Sequence, residues 1–477
     1  MNIWGNDDEL SLKELIIDLN NDLIENTNSI TKDFSIICEE IKNHLYNTEI
    51  IAEELQRQKR AIIGHQEEVK YYINIIERYL KDKNYVNCSY PKYYKNLSSA
   101  IYHELWGLAG IAEWYEGRTC ELKNSYSAHI IGENIFFLID GKMKKMPQKI
   151  SRERKAQLKR ALLSNDYRVR LDNDVPDIEM ITGERIKIFA ENVTRKGEET
   201  IIFRKFPITD YSFEKQIKLH SYPEESLEFF KCFAKLGYNI VFTGGVGTSK
   251  TTQLATWLSY EDASLCGLII ETRPELPIKN ILPDSPIISL VVNSEEKLKR
   301  IRPSIMRSDA DYVVMAEARD AYAYDIALKS ANIGSRRCKM TAHINSPVDF
   351  PHEFASEISR VFGGDIDDLA IRIAKSYEIN IHFITLSQDK NKKRLEGIYL
   401  FNYEEENHKI EIYKLCSYVY SSDSWVFNNK ITHNMMKMGK YQNQQIFSQF
   451  MVELENLSIK FPMGDEESKI IIPFYSR

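Results

Sequence analysis

The stretch VFTGGVGTSKTTQLATWL, Val241–Leu258, decides how the rest of the chain is read. An apolar run enters a glycine-rich turn, and a lysine, two threonines and a helical pattern follow. A phosphate site needs backbone N–H groups converging on an anion, with a helix N-terminus behind them. Gly244, Gly245 and Gly247 supply the tight turn and the close approach. Val246, Thr248 and Ser249 complete the loop. Lys250 is placed to reach the outer phosphates of a nucleotide. The Thr251 hydroxyl is placed to ligate Mg2+, and Thr252 follows in the same turn. The usual pattern, G-x-x-x-x-G-K-[ST], has glycine before the lysine, and Ser249 stands there. Serine still donates its backbone N–H. It costs nothing if its backbone is helical, as a helix start suggests, and more if the lysine must pass over a bare α-carbon. The alternative is a plain glycine turn, which the strand–loop–helix context disfavours.

The chain has 477 residues, which at ~100–200 per domain suggests two to four units. Hydrophobic residues make up 43%, enough for buried cores, and the formal net charge of −6 offers no basic field for nucleic acid. The seven cysteines are scattered without a C-x-x-C pair, which argues against a disulfide framework or a zinc site. The start, MNIWGNDDEL, is acidic and unlike a secretory signal. No apolar run approaches the ~20 residues of a membrane helix. The expectation is a cytoplasmic chain with no transmembrane segment of its own.

Residues 1–97 read as a helical extension. Leu12, Leu15, Ile16, Leu19 and Leu23 share one face behind a possible capping box of Ser11 and Glu14. Phe34, Ile37, Ile41 and Leu45 make a second stripe, and Val69, Tyr72, Ile73, Ile76 and Leu80 a third. These suit a helical bundle or, less simply, a partner-docking arm. Residues 98–210 read as a mixed α/β domain, with a hairpin in HIIGENIFFLIDGK and two strands in GERIKIFAENVTRKGEETIIFRKFP. Residues 211–222 read as a linker. From 223 to 430, short apolar strands at Tyr238–Phe242, Gly267–Ile270, Ile287–Val292, Tyr312–Ala316 and Lys339–Ala342 alternate with helices. That alternation means a largely parallel sheet buried on both faces. Residues 379–428 return to β character, and 431–477 read as a helical tail.

Three further stretches place polar groups at strand ends. YVVMAEARD ends in Glu317, Arg319 and Asp320; LIIETRPELP offers Glu271 and Glu275; KMTAHINSP delivers His343. In a parallel sheet these ends face one ligand crevice. Each alone is an ordinary solvated carboxylate or satisfied histidine. In this order after a phosphate loop, they form a set suited to holding Mg2+ and positioning water.

GGVGTSKTT, IIETRPELP, YVVMAEARD and AHINSP, taken in series, resemble the Walker A, aspartate, Walker B and histidine boxes of the secretion traffic ATPases. That superfamily serves type II and type IV secretion and type IV and tight-adherence pili. RVRLDNDVPDIEMITGERIKIF and TIIFRKFP resemble its N-terminal domain, and the likeness spans roughly residues 98–430. The resemblance implies an α/β fold: a RecA-like P-loop NTPase C-terminal domain, a smaller N-terminal α/β domain and here an N-terminal helical extension. It implies ATP and Mg2+, a homohexamer, and an inner-membrane platform or secretion-channel protein as partner. It assigns Lys250 and Thr251 to phosphate and Mg2+, and Glu317 to the Walker B acid. Water activation goes to Glu275 or, less favoured, Glu271, and the γ-phosphate contact to His343. Arg204 and Arg185 match arginines turned toward the nucleotide. Departures from the pattern are Ser249, Thr272, Ala316 before Glu317, and NIGSRRC, where Ser335, Arg336 and Arg337 stand in a usual T-G-H region. They bear on hydrolysis rate more than on binding. The readings are therefore an ATP-driven motor, a nucleotide-gated scaffold with little turnover, or a DNA-translocating motor using Arg336 and Arg337, the least supported of the three.

Overall fold

The computed structural model describes residues 33–46, 51–85, 88–163, 177–180, 184–205, 210–292, 294–332, 336–387 and 389–473. The chain divides into two compact units, residues 1–207 and 208–477.

The first unit joins helices to a six-stranded antiparallel sheet. Its strands are β1 (Ser127–Ile131), β2 (Asn134–Ile139), β3 (Lys142–Lys149), β4 (Asp177–Glu179), β5 (Arg185–Phe189) and β6 (Thr200–Arg204), in the order β3-β2-β1-β6-β5-β4. The turn residues sit where chain reversal needs them: Gly132, Asp140 and Gly141 all have positive φ. The second and third helical stripes form helices Phe34–Tyr46 and Gln66–Asp82. Ile37, Ile41, Tyr72 and Ile76 are buried against Ile101, Tyr102 and Trp106 of the helix Leu97–Leu105 and its end. Residue 97 thus marks no break, because these helices bury their stripes on the sheet's own flanking helix. The first stripe and its capping box lie outside the described residues.

The second unit is built on a ten-stranded sheet. Its strands are β7 (Ile240–Gly244), β8 (Gly267–Glu271), β9 (Ile287–Val291), β10 (Tyr312–Ala318), β11 (Lys339–Ala342), β12 (Ile379–Leu386), β13 (Asp389–Glu404), β14 (Lys409–Val419), β15 (Ser424–Phe427) and β16 (Lys469–Pro473). The order is β15-β14-β13-β12-β7-β11-β10-β8-β9, with β16 added to β14. From β12 to β9 every neighbour is parallel, and from β12 to β15 every neighbour is antiparallel. The strands β7 and β8 are buried along their whole length, as a sheet covered on both faces requires. One core packs Trp257, Leu254, Phe230 and Phe233 on one face, and the other packs Tyr324, Ile326, Phe354 and Ile373 on the opposite face. This is the RecA-like P-loop architecture that the resemblance implies.

Two expectations change. The segment 211–222 is not a simple linker: it holds the helix Phe213–Lys218, and Phe213 and Tyr222 are buried in the second unit's core. The aromatic residues of that segment demand burial that a linker does not give. The tail 431–477 is not wholly helical. The helix His433–Lys460 breaks at Asn443, whose side chain accepts from Ile446 N at 3.0 Å and starts a second helix. Lys469–Pro473 then pairs antiparallel with β14, packing Ile470 and Ile472 on the second core.

Candidate nucleotide site

The parallel strands end on one edge, and that edge carries the site. At the end of β7, Gly244 has φ 147°, and a β-carbon there would meet Phe383 O at 2.3 Å and Thr248 Oγ1 at 2.6 Å. Only glycine fits. Gly247 also has positive φ, 76°, but open space around it. Thr248 Oγ1 donates to Gly245 O at 3.0 Å and braces the turn, while Val246 is exposed. The helix Lys250–Leu258 follows, its first turn closed by Gln253 N donating to Ser249 O at 3.0 Å. Thr252 lies in that turn, and its carbonyl accepts from Thr256 Oγ1 at 3.0 Å.

Ser249 corrects the sequence reading. Its backbone is left-handed, φ 69° and ψ 23°, not helical. For an L-residue that conformation costs roughly 1–2 kcal/mol, and glycine avoids it. The loop's curvature, and not the helix behind it, sets the requirement at this position.

Lys250 is buried, and its ammonium donates to Gly244 O at 3.0 Å and Gly245 O at 2.8 Å, with His343 Nδ1 at 3.1 Å. Burial pushes its pKa down to about 8, against the pull of Glu317 and Glu275. Thr251 Oγ1 donates to Glu275 Oε2 at 3.1 Å. Glu271 plays another part: its Oε1 accepts from Glu275 N at 2.7 Å and Leu276 N at 2.8 Å. It shapes the turn that brings Glu275 to Thr251, so of the two carboxylates it is Glu275 that touches the phosphate loop.

Glu317 lies at the end of β10. Its Oε1 is 3.1 Å from His343 Nε2 and 2.5 Å from Arg319 Nη2. Burial opposes its charge, but the bonds from His343 and Arg319 outweigh that and hold its carboxyl below the usual range. A lysine ammonium only donates, so His343 Nδ1 accepts from Lys250 and its Nε2–H donates to Glu317. One neutral tautomer satisfies both contacts. Lys250, His343 and Glu317 therefore form one hydrogen-bonded chain across three strand ends.

The remaining sequence candidates fall elsewhere. Arg185 and Arg204 face each other across the β5–β6 pair of the first unit. Arg337, considered for a pore loop, pairs inside its own chain: Nη1 lies 2.8 Å from Glu261 Oε2, beside a second ion pair from Lys339 to the same buried carboxylate. Ser335 lies outside the described residues. The sequence reading missed Thr243, Asn380 and His382. All three are buried behind the loop, and the Thr243 hydroxyl lies 2.6 Å from Asn380 Oδ1 and 2.8 Å from His382 Nδ1. The signal was present, since INIHFITL sets two polar residues at alternate positions of an apolar strand.

The donors suit a magnesium nucleotide. Thr251, Glu275 and Glu317 offer hard oxygens, as Mg2+ prefers. Among the described residues no three His, Cys, Asp or Glu side chains converge on a metal-sized space. One or two carboxylates plus substrate phosphates is the usual way Mg2+ is held.

Residues 128–354 match the model of the type II/IV secretion system protein family. Competence protein ComGA of Bacillus subtilis (strain 168) is 24% identical over 140 residues, 29% of this chain. The match spans 38% of that relative's length. The pilus retraction motor PilT, solved with bound ADP, is 17% identical, with a TM-score of 0.45, 76% of this chain and 93% of PilT covered. The Legionella pneumophila ATPase DotB is 14% identical with the same TM-score, 75% of this chain and 93% of DotB covered. At these scores the two structures add no weight, and the fold stands on its own topology. The boxes quoted from the sequence all fall within the matched segment, so it is this stretch, just under half of the chain, that is similar to the type II/IV secretion system protein family.

Proposed function

We propose that this protein hydrolyses ATP to ADP and phosphate, with Mg2+ as cofactor. The observation that carries the reading is the chain Lys250–His343–Glu317 at the mouth of a glycine loop. Lys250 places a fixed charge on the outer phosphates, and the N–H groups of the loop and helix start cradle the rest. Thr251 and Glu317 would hold Mg2+, which when bound neutralises phosphate charge. Glu275, touching Thr251, is the carboxylate placed to orient the attacking water. His343 faces the γ-phosphate position and keeps Glu317 ionised. Arg185 and Arg204 are the guanidinium donors of the first unit, suited to phosphate by fixed charge and donor geometry.

At the larger scale we read the protein as a homohexameric ring at the cytoplasmic face of a membrane complex. ATP turnover there drives pilus assembly or secretion through a platform or channel partner. No helix of the described residues is long and apolar enough to cross a membrane. A second reading, a nucleotide-binding scaffold with little turnover, is favoured by one observation, the left-handed backbone of Ser249. The domains of this reading are the two compact units, residues 1–207 and 208–477.

The test is Glu317→Gln. It is expected to bind ATP within about two-fold of wild type and to release phosphate at least ~100-fold more slowly. Unchanged turnover would move the Walker B role to another carboxylate. Mass photometry with and without Mg-ATP tests the ring, and a monomer under every condition would remove it.

A further inference from the structure

The strand β12 carries a polar pair where an apolar strand would pack as well. Asn380 and His382 alternate with Ile379, Ile381 and Phe383, so they share one face, and both are almost wholly buried. Across the β7–β12 pair Asn380 registers with Val241 and His382 with Thr243, the residue before Gly244. The Thr243 hydroxyl reaches both, Asn380 Oδ1 at 2.6 Å and His382 Nδ1 at 2.8 Å.

A hydroxyl has one proton to give. Given to Asn380 Oδ1, it leaves the Thr243 oxygen to accept from His382 Nδ1–H. An imidazolium carries the same Nδ1–H, but burial together with the nearby Lys250 charge holds the His382 pKa down at about 4, so the donor is the neutral Nδ1–H tautomer. The far end of the network is the informative one. Asn380 Nδ2 donates to Pro347 O at 3.0 Å, in the loop that carries His343. Asn345 of the same loop lies against the phosphate loop, its Oδ1 3.9 Å from where a β-carbon on Gly245 would stand. Buried amides and hydroxyls are costly when unpaired, so each of these bonds is directional and hard to give up.

We propose that Thr243, Asn380 and His382 are positioning residues of the phosphate site. Through them β12 sets the separation between the phosphate loop and the His343 loop, and so the contacts His343 makes with Lys250 and Glu317. None of the three needs to touch the nucleotide. Asn380 is the joint: its carbonyl oxygen is tied to the strand that ends in Gly244, and its amide to the loop that begins at His343. The proposal rests on the ATPase reading only for its kinetic arm.

The first arm needs no nucleotide. In Asn380→Ala, amide hydrogen exchange across residues 343–348 is expected to quicken about ten-fold, with β8 and β10 unchanged. Unchanged protection of that loop overturns the proposal. The second arm uses Mg-ATP. Asn380→Ala and Thr243→Val are each expected to lower kcat about ten-fold while KM stays within about two-fold, and Thr243→Ser is expected to recover most of the loss. The double variant Asn380→Ala/His343→Ala is expected to be no slower than His343→Ala alone, because both act through one histidine. Losses that multiply overturn the proposal. If Thr243→Val does not fold, Asn380→Ala carries the same expectations. A wild-type protein without turnover would remove the ATPase reading and leave the exchange arm to decide this one.

Discussion

His343 stands between Lys250 and Glu317, with Nδ1 3.1 Å from the lysine ammonium and Nε2 3.1 Å from the carboxylate. One imidazole thus links the residue that meets phosphate with the residue that holds Mg2+ in the proposed reaction. His343→Ala should break both contacts at once. We expect kcat to fall about 100-fold, and His343→Gln to fall less, because its amide can still donate toward Glu317. Steady-state phosphate release measures both, and equal losses would remove the hydrogen-bonding role.

Ser249 stores backbone strain in the loop, and the sign of its removal is clear. Ser249→Gly relaxes a left-handed residue, at some entropic cost in the unfolded chain. The net expectation is a gain on the order of 1 kcal/mol, seen as a rise in the urea midpoint at constant m. A drop in midpoint would show that the serine side chain makes a compensating contact. If the same change also raises phosphate release several-fold, the scaffold reading gains ground for the wild-type protein.

Gly244 and Gly247 should respond differently to the same methyl group. Gly244→Ala drives a β-carbon into the Phe383 carbonyl, which is backbone and cannot swing aside. Its cost should exceed ~2 kcal/mol. Gly247→Ala meets nothing and is penalised only by its φ of 76°, about 1 kcal/mol. Equilibrium unfolding of the two variants ranks them, and a reversed order would contradict the loop geometry.

Lys250 gives the site a pH dependence whose direction can be worked out. Burial lowers its pKa from 10.5 to about 8, so the free site loses the ammonium as pH rises past 8. A bound phosphate restores the proton, so ATP affinity should fall above pH 8, by at most ten-fold per pH unit for one proton. For folding the sign is opposite to that of a paired lysine. Between about 8 and 10.5 the unfolded chain holds more protons, so stability should rise with pH across that window. Titration calorimetry of wild type and Lys250→Met separates the effect, and an equal slope in both would assign it elsewhere.

The parallel strands β7 to β11 were legible because each is a short, largely apolar run set between helical stretches. The site carboxylates were legible because strand ends in a parallel sheet share an edge. The choice between Glu271 and Glu275 was harder to read, since it depends on which carboxylate spends its oxygens on the turn, Glu271 on two backbone N–H groups. The backbone of Ser249 was misread, because closure of a loop sets φ and no residue type announces it. Residues 469–473 read as part of a helical tail, because their partner β14 is some sixty residues earlier and β pairing at that distance leaves little local signal. Arg337 reads in the sequence as a pore-loop candidate, and Glu261, buried and far away in sequence, supplies its partner.

The most direct measurement is phosphate release by the purified protein with Mg-ATP, beside Lys250→Ala. The account predicts turnover in the wild type and loss of at least ~100-fold in Lys250→Ala, with both proteins folded. Equal release from the two, or a wild type that neither binds nor hydrolyses ATP, would contradict it.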